Sequence, residues 1–317
     1  MLSVNLTALN LVKRMIEEKG AINVEVEKAP SGATIVDAGI GVKGGFVAGK
    51  HLTEVCLGGL AEARLGCAEF GELVLPTIEV YTDHPAVSLL ASQFAGWRIS
   101  VGKYFAMGSG PARALALKPK ELYEKVKYQD SADKAVIVLE TSEKPPSDAV
   151  EYIAKECNVK PEDLYVLVAP TSSIAGSTQI SGRVVEMGIH RLVELGFDPT
   201  KVLYGSGTAP IAPLHPKFAQ AMGRTNDMLL YAGSTFFVVE YDDDEGLRKL
   251  VEKAPSCTSS AYGRPFYEIF KEANYDFYKI DPALFAPAKI TVNNIKTGKS
   301  FSAGTVNLEI LKKSIAP

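Results

Sequence analysis

One passage, from Ala135 to Ala169, constrains the fold more than any other part of the chain. An apolar, β-branched run (Ala135 to Glu140) is followed by a proline-containing turn and by a segment with helical spacing that extends to Cys157. A second apolar run covers Leu164 to Ala169. Two short apolar runs on either side of an amphipathic segment predict a β-α-β unit.

The other strands do not continue that alternation. Residues 21–28 and 33–40 flank a Pro-Ser-Gly turn, and residues 288–292 and 300–306 flank Lys296-Thr297-Gly298, so both pairs predict hairpins. Helical and extended segments are therefore mixed without a long βαβα series. This pattern favours an α+β fold over a doubly wound parallel sheet.

Length and composition predict two domains. The chain has 317 residues, of which 46% are hydrophobic, and this is enough apolar material for two cores. We assign residues 1–85 plus 286–317 to a first α+β domain and residues 86–285 to a second.

Charge and composition exclude several classes of protein. The net charge is −3 and no basic run exceeds a few residues, which argues against a nucleic-acid partner. No apolar run has membrane-spanning length, and the amino-terminal residues resemble an amphipathic helix, not a signal peptide. The four cysteines and four histidines show no metal-binding spacing. We therefore predict a cytoplasmic protein without a metal site.

The stretch from Leu164 to Leu195 is the strongest candidate for the site of the chemistry. Its apolar run stops at Pro170, a loop of Ser, Thr and Gly follows, and a helix is predicted with Ser181 as its N-cap and Gly196 as its stop. Arg183 and Glu186 stand three residues apart in the first turns, so they lie on one helix face. Two interpretations are open. The residues form a solvated ion pair on the helix surface, or the carboxylate of Glu186 faces a ligand that approaches the neighbouring loop.

Two Gly-Ser-Gly motifs are further candidates. Gly108, Ser109 and Gly110 follow a predicted strand over Trp97 to Ala106 and precede Pro111, so backbone N–H groups at a helix start could hold an anion or a carbonyl. An ordinary strand-to-helix turn explains the motif equally well. Gly205, Ser206 and Gly207 repeat the pattern after a short strand.

A serine acyl hydrolase is a weaker alternative. Ser100 and Lys103 match an SxxK pattern and residues 296–298 match KTG. The serine of such an enzyme opens a helix, whereas Ser100 lies in an alternating strand. Residues three apart in a strand face opposite sides, so the match is interpreted as a coincidence.

Five longer motifs occur in order over essentially the whole chain. They are GKYFAMGSGPARAL, VLVAPTSSIAGSTQISGRVVEMGIHRL, VLYGSGTAPIAPLHPKF, MGRTNDMLLYAG and the stretch from Ser259 to Phe270. In these motifs the chain resembles the methenyltetrahydromethanopterin cyclohydrolase family. The resemblance implies two α+β domains with a pocket between them, a homotrimer, and no metal or organic prosthetic group.

The implied activity is a reversible hydrolysis in one-carbon metabolism. Water adds to the methenyl carbon of 5,10-methenyltetrahydromethanopterin and the ring opens to the 5-formyl product. The family's acid/base pair matches Glu186 and Arg183, with Arg183 holding the carboxylate and favouring its ionised form. A non-catalytic carrier or sensor of a reduced pterin is the alternative that shares this pocket.

The substrate implied by the resemblance has a pterin head and an anionic tail. Cationic groups and N–H donors suit the tail, and aromatic rings suit the pterin. The candidate substrate-binding residues are Lys103, Gly108, Ser109, Gly110, Thr171, Ser172, Ser173, Gly205, Ser206, Gly207, Arg224, Tyr262 and Arg264, with Phe105 and Phe266 as further stacking candidates.

Overall fold

Two compact units make up the part of the chain described by the computed structural model, residues 2–316. The first unit contains the chain up to Ala63 together with Ala86–Gln179, and the second contains Arg64–Pro85 and the chain from Ile180 onwards. The expected boundaries, 1–85 plus 286–317 and 86–285, differ from this division. Residues 86–179 and 180–285, which were expected in one domain, lie in different units.

Helices and strands are mixed along the chain without a regular alternation. The strands are β1 (Glu25–Lys28), β2 (Thr34–Asp37), β3 (Ala61–Phe70), β4 (Leu73–Thr82), β5 (Trp97–Val101), β6 (Tyr104–Ser109), β7 (Ala135–Glu140), β8 (Leu164–Ala169), β9 (Val202–Pro210), β10 (Ser234–Val239), β11 (Lys289–Asn294) and β12 (Ser300–Gly304).

The helices fall between these strands, and a π-helical segment spans Ala86–Gln93. They are α1 (Val4–Glu17), α2 (Phe46–Cys56), α3 (Ala112–Ala116), α4 (Lys120–Val126), α5 (Ser147–Glu156), α6 (Ile174–Ser181), α7 (Val184–Glu194), α8 (Phe218–Ala232), α9 (Asp244–Glu252), α10 (Phe266–Glu272) and α11 (Leu308–Ile315). No helix within residues 2–316 is both long and apolar enough to cross a bilayer.

The first unit is built on a mixed sheet with the order β1-β2-β8-β7-β6-β5. Strands β2, β8 and β7 are parallel, and the other pairs are antiparallel. The predicted β-α-β unit is confirmed, because β7 and β8 are parallel neighbours joined through α5. Ile137 and Val166 pack towards α5, whereas Val136 and Leu167 pack towards α1 and α2, so both faces are buried.

The second unit contains a sheet with the order β12-β11-β10-β9-β4-β3. Helices α7 and α8 pack against its central strands. Phe237 on β10 faces these helices and is buried, whereas the neighbouring Phe236 faces away and is 41% exposed. The sheets are mixed and helices cover them irregularly, so the predicted α+β class is confirmed.

Two local predictions are wrong. The stretch from Trp97 to Ala106 is a hairpin that turns at Gly102, whose φ is +58°, and not one strand. The sequence of residues 227–233 by itself suggests a strand after a short helix, but the continuous helix α8 extends to Ala232 and Gly233 follows it. A short apolar run does not distinguish a buried strand from a buried helix segment, and Met228 to Tyr231 are buried in the helix.

Candidate active site

The chain leaves β8 through a tight turn that starts a helix earlier than expected. Ser173 donates its N–H to the Pro170 carbonyl over 2.9 Å, and its hydroxyl oxygen accepts from the Gly176 N–H over 3.0 Å. A Cβ atom at Gly176 would lie 2.0 Å from the Pro170 carbonyl oxygen, so only glycine allows this close turn. The predicted Ser/Thr/Gly loop is therefore mostly helix α6.

A break between α6 and α7 places the two charged residues. Ser181, expected as the N-cap of α7, is the last residue of α6, and its hydroxyl donates to the Pro210 carbonyl over 2.8 Å. Arg183 occupies the cap position instead, and its carbonyl accepts the Met187 N–H over 2.9 Å. Glu186 is thus the third residue of α7, where unpaired N–H groups favour a carboxylate.

Glycines bring α7 close to the sheet of the second unit. A Cβ atom at Gly205 or Gly207 would lie 3.2 Å or 3.0 Å from a methyl carbon of Val185. One at Gly188 would lie 3.0 Å from the ring of Phe237. Val185 and Gly188 therefore form the sheet-facing side of α7. Glu186 is turned about 100° away from Val185 around the helix axis.

Arg183 and Glu186 form a buried ion pair. The guanidinium Nη1 lies 3.9 Å from Oε2 of Glu186, and the two residues are only 9% and 7% exposed. The interpretation as a solvated pair on a helix surface is therefore wrong. Burying two charges costs desolvation free energy, so such a pair is weak evidence for stability and suits a functional site. The distance allows an ion pair without a short charge-assisted hydrogen bond.

The second Gly-Ser-Gly motif is not a loop. Gly205, Ser206 and Gly207 lie inside β9, which pairs with β10 on one side and β4 on the other. Their peptide groups belong to a strand with a neighbour on each side, so the predicted cradle of backbone N–H groups is wrong here. Residues without a side chain are needed at positions 205 and 207 because α7 packs closely on them. A role of these residues in substrate binding stays a prediction.

The first Gly-Ser-Gly motif is also part of the sheet. Gly108 and Ser109 end β6, and the Gly110 N–H donates to the Ser92 carbonyl over 2.8 Å. The Ser109 hydroxyl lies 3.4 Å from Sγ of Cys56 in a buried contact. The motif is an internal strand-to-helix connection, which is the second of the two interpretations that the sequence allowed, and a role of these residues in substrate binding stays a prediction.

The remaining candidates in the first unit lie near the carboxyl ends of its parallel strands. Thr171, Ser172 and Ser173 follow β8, and the Thr171 hydroxyl donates to the carboxylate of Glu140 at the end of β7. Lys103 is exposed in the turn between β5 and β6. Ser100 lies within β5 and opens no helix, unlike the nucleophile of an SxxK enzyme.

The candidates on helices and loops of the second unit have protein partners. Arg224 donates to the Leu214 carbonyl over 3.0 Å, and Arg264 forms two 2.6 Å contacts with the Glu272 carboxylate. The Tyr262 hydroxyl accepts from Asn307 over 3.2 Å.

Of the two stacking candidates, Phe266 is fully buried among other phenylalanines. It therefore belongs to the core. Phe105 is 51% exposed beside the guanidinium of Arg98.

Sequence reasoning missed the acidic residues at the ends of the parallel strands. Asp37 ends β2, is 1% exposed, and accepts the N–H groups of Gly39, Ile40 and Gly41 over 2.7–2.9 Å. Glu140 ends β7 beside Thr171. Ligands of open sheets with parallel strands bind at carboxyl ends, so a polar residue at the end of each apolar run was the available signal.

No group of three or more His, Cys, Asp or Glu side chains between residues 2 and 316 is arranged to hold a metal ion. The chemistry that these residues offer is acid/base. Fold and site together define an α+β protein with a buried carboxylate–guanidinium pair at a helix start.

Comparison with known proteins identifies the family. A family model described as cyclohydrolase (MCH) matches residues 3–315, and the chain belongs to this family. It is 51% identical to the methenyltetrahydromethanopterin cyclohydrolase of Methanocaldococcus jannaschii over 99% of this chain and 98% of the relative. The proteins of that name from Methanothermobacter marburgensis and Methanococcoides burtonii are 51% and 50% identical, over 99% of this chain and 99% and 98% of their own.

Proposed function

We propose that this protein reversibly hydrolyses the methenyl bridge of 5,10-methenyltetrahydromethanopterin to give the 5-formyl compound. Membership of the cyclohydrolase family and the names of relatives about half identical over nearly their whole length support this substrate. The buried Arg183–Glu186 pair is the single observation that carries the mechanism.

The reacting carbon requires little activation. The methenyl bridge lies between two nitrogens and shares their positive charge, so it is already electrophilic. The enzyme has to position one water molecule, accept a proton from it, and let a proton reach the nitrogen that leaves. A single carboxylate held in a fixed orientation is sufficient for these proton transfers.

Glu186 is the acid/base group in this proposal. Its carboxylate accepts a proton as the water oxygen bonds to the methenyl carbon, which gives a neutral tetrahedral adduct. The proton then passes to the second ring nitrogen as its bond to carbon breaks, and the formyl group stays on N5. One further proton is released from the adduct hydroxyl, which balances the loss of the substrate's positive charge.

Arg183 acts as a positioning residue. Its guanidinium, 3.9 Å from the carboxylate, stabilises the ionised form of Glu186 and restricts where the side chain can lie. The negative charge of Glu186 in turn favours the cationic ring. Because both residues are buried, these electrostatic effects are screened less than on a surface.

The rest of the proposal comes from the family resemblance. We expect a cytoplasmic homotrimer that uses tetrahydromethanopterin as its one-carbon carrier and needs no other cofactor. Ser172 and Arg224 are half-buried, so part of each side chain is accessible to a substrate of this kind.

Loss of the methenyl chromophore, followed spectrophotometrically, tests the proposal. Glu186→Gln keeps the shape of the side chain but removes its basicity, so turnover should fall by about 10²–10⁴-fold while substrate binding persists. Glu194→Gln, an exposed change on the same helix, is the matched control and should retain full turnover. Full turnover by Glu186→Gln would contradict the acid/base role.

The same measurement separates the enzyme from a non-catalytic pterin carrier. A carrier would bind the methenyl compound without consuming it, and the Glu186→Gln variant would then behave like the wild type. Comparison with the methenyl folate analogue would show whether the protein distinguishes the two carriers.

A further inference from the structure

The side of α7 that is turned away from the sheet carries a continuous strip of polar residues. We call it the polar strip; it consists of Arg183, Glu186, His190 and Glu194. At 100° per residue these four positions fall within about 80° of one another around the helix axis. Glu186 is 7% exposed, whereas the side chains of His190 and Glu194 are 28% and 32% exposed. The polar strip therefore connects the buried acid with the protein surface.

The proposed hydrolysis needs an exit for a proton. A cationic substrate becomes a neutral product, so each turnover releases one proton in addition to the one that moves to the leaving nitrogen. Glu186 has to be ionised again before it can accept a proton from the next water molecule. Because its carboxylate is buried, a second group is needed to exchange protons between it and solvent.

His190 has the position and the chemistry for this exchange. Residues four apart on a helix are neighbours, with about 5–6 Å between their Cβ atoms. Helical side chains also lean towards the N-terminus, so the imidazole of His190 lies over the turn that contains Glu186. Within one turn on either side of Glu186, the only other titratable residue of this stretch is Arg183. A guanidinium keeps its proton, whereas an imidazole gains and loses one near neutral pH.

We propose that His190 relays protons between Glu186 and solvent. The proton released from the adduct hydroxyl passes first to the Glu186 carboxylate. A ring nitrogen of the neutral imidazole then accepts it as the carboxyl O–H bond breaks, and the imidazolium releases a proton to a water molecule on its exposed side. Carboxylate and neutral imidazole are both restored, and ring closure uses the same steps in reverse. His190 acts through Glu186 and does not touch the substrate.

The transfer does not require Glu194. Its Oε1 lies 4.0 Å from Nδ1 of His190, which is beyond hydrogen-bond distance, and its other oxygen contacts Nη1 of Arg191 over 3.4 Å. Water at the partly exposed imidazole can accept the proton in its place. For this reason Glu194→Gln stays a suitable control for turnover.

Turnover of the methenyl substrate at several buffer concentrations tests this inference, which rests on the proposed function. His190→Gln keeps a polar side chain that cannot carry a proton, so its turnover should fall about tenfold or more in dilute buffer, with substrate binding unchanged. Added imidazole should restore much of the turnover of His190→Ala, because it replaces the missing ring. His84→Gln, which changes an exposed histidine, should keep the wild-type rate in every buffer.

Rescue by imidazole distinguishes a proton relay from a structural role, because a misfolded variant would not respond to it. The relay would be overturned by a wild-type rate of His190→Gln in dilute buffer, or by a loss in His190→Ala that imidazole does not restore. Both results leave the proposed function standing if the wild type consumes the substrate and Glu186→Gln does not. A wild type that binds the substrate without consuming it would overturn the relay and the proposed function together.

Discussion

Nη1 of Arg183 lies 3.9 Å from Oε2 of Glu186, and both residues are buried at the start of α7. The spacing of three residues is visible in the sequence, but the burial of the pair is visible only in the folded structure. The sheet-facing glycines bring α7 close to β9, and the pair occupies a different side of the helix.

Two replacements of Arg183 should distinguish the effect of its charge on turnover from the effect of its shape. Arg183→Gln removes the counter-charge, so turnover should fall about 10²-fold and the acidic limb of the pH–rate profile should move to higher pH. Arg183→Lys keeps the charge and should recover part of both effects. Steady-state rates over pH 5–9 measure this, and equal profiles for all three proteins would exclude an electrostatic role.

Gly207 should tolerate no side chain. A Cβ atom there would lie 2.8 Å from the Ser234 carbonyl oxygen and 3.0 Å from Val185. Gly207→Ala should therefore lower the free energy of unfolding by about 1–3 kcal/mol, since backbone and helix must both shift. Urea unfolding measures this. Gly20→Ala is the control, because no atom lies within 4 Å of its Cβ position, and an equal effect of the two changes would contradict the packing argument.

Asn5 stabilises the first unit through its amide side chain. Nδ2 donates to the Asp130 carboxylate over 2.8 Å and to the Pro111 carbonyl over 2.9 Å, and Oδ1 accepts the Val136 N–H over 2.9 Å. Asn5→Ala leaves these buried groups without that partner and should cost about 2–4 kcal/mol of unfolding free energy. Asn10→Ala, exposed on the same helix, should cost well under 1 kcal/mol by the same urea titration.

Asp227 should make stability depend on pH. Burial raises the pKa of this carboxyl to about 7, although Ser314 and the Phe266 N–H bind it. The folded protein then holds a proton that the unfolded chain, with a pKa of about 3.9, has lost. Stability should therefore fall as pH rises from about 4 to about 7, by up to about 1.4 kcal/mol per pH unit, and level off above.

Asp227→Asn should remove this contribution to the pH dependence. The unfolding free energy of the wild type, minus that of the variant, should decrease between pH 5 and pH 8 in urea titrations. A difference that stays constant, or that increases with pH, would show that the carboxyl is ionised in the folded state throughout this range.

The sequence correctly predicted those elements whose pattern of residues lies within the element itself. Strands β7 and β8 have the predicted limits, and the carboxyl-terminal hairpin of β11 and β12 closes where Lys296-Thr297-Gly298 indicated. The acidic run that begins at Asp242 is a helix-start signal, and Asp243 caps α9. These features depend on composition and spacing within a few residues.

Elements whose identity depends on distant neighbours were mispredicted. Gly205 to Gly207 have the composition of a loop, but β4 and β10 on either side make them a strand. The loop after Pro170 became α6 because Ser173 caps it and Gly176 permits the close turn. Neither outcome follows from propensity, since tertiary contacts override it.

The sequence by itself determined the α+β class, the β-α-β unit, the family, and the presence of an acid and a guanidinium three residues apart. Only the tertiary structure decided that this pair is buried, that Gly108 and Ser109 end a strand, and that the second Gly-Ser-Gly motif lies inside one. The hydrophobic periodicity of a segment indicates which of its residues lie on the same side of the helix or strand. Burial depends on which other segments pack there, and that is a property of the whole folded chain.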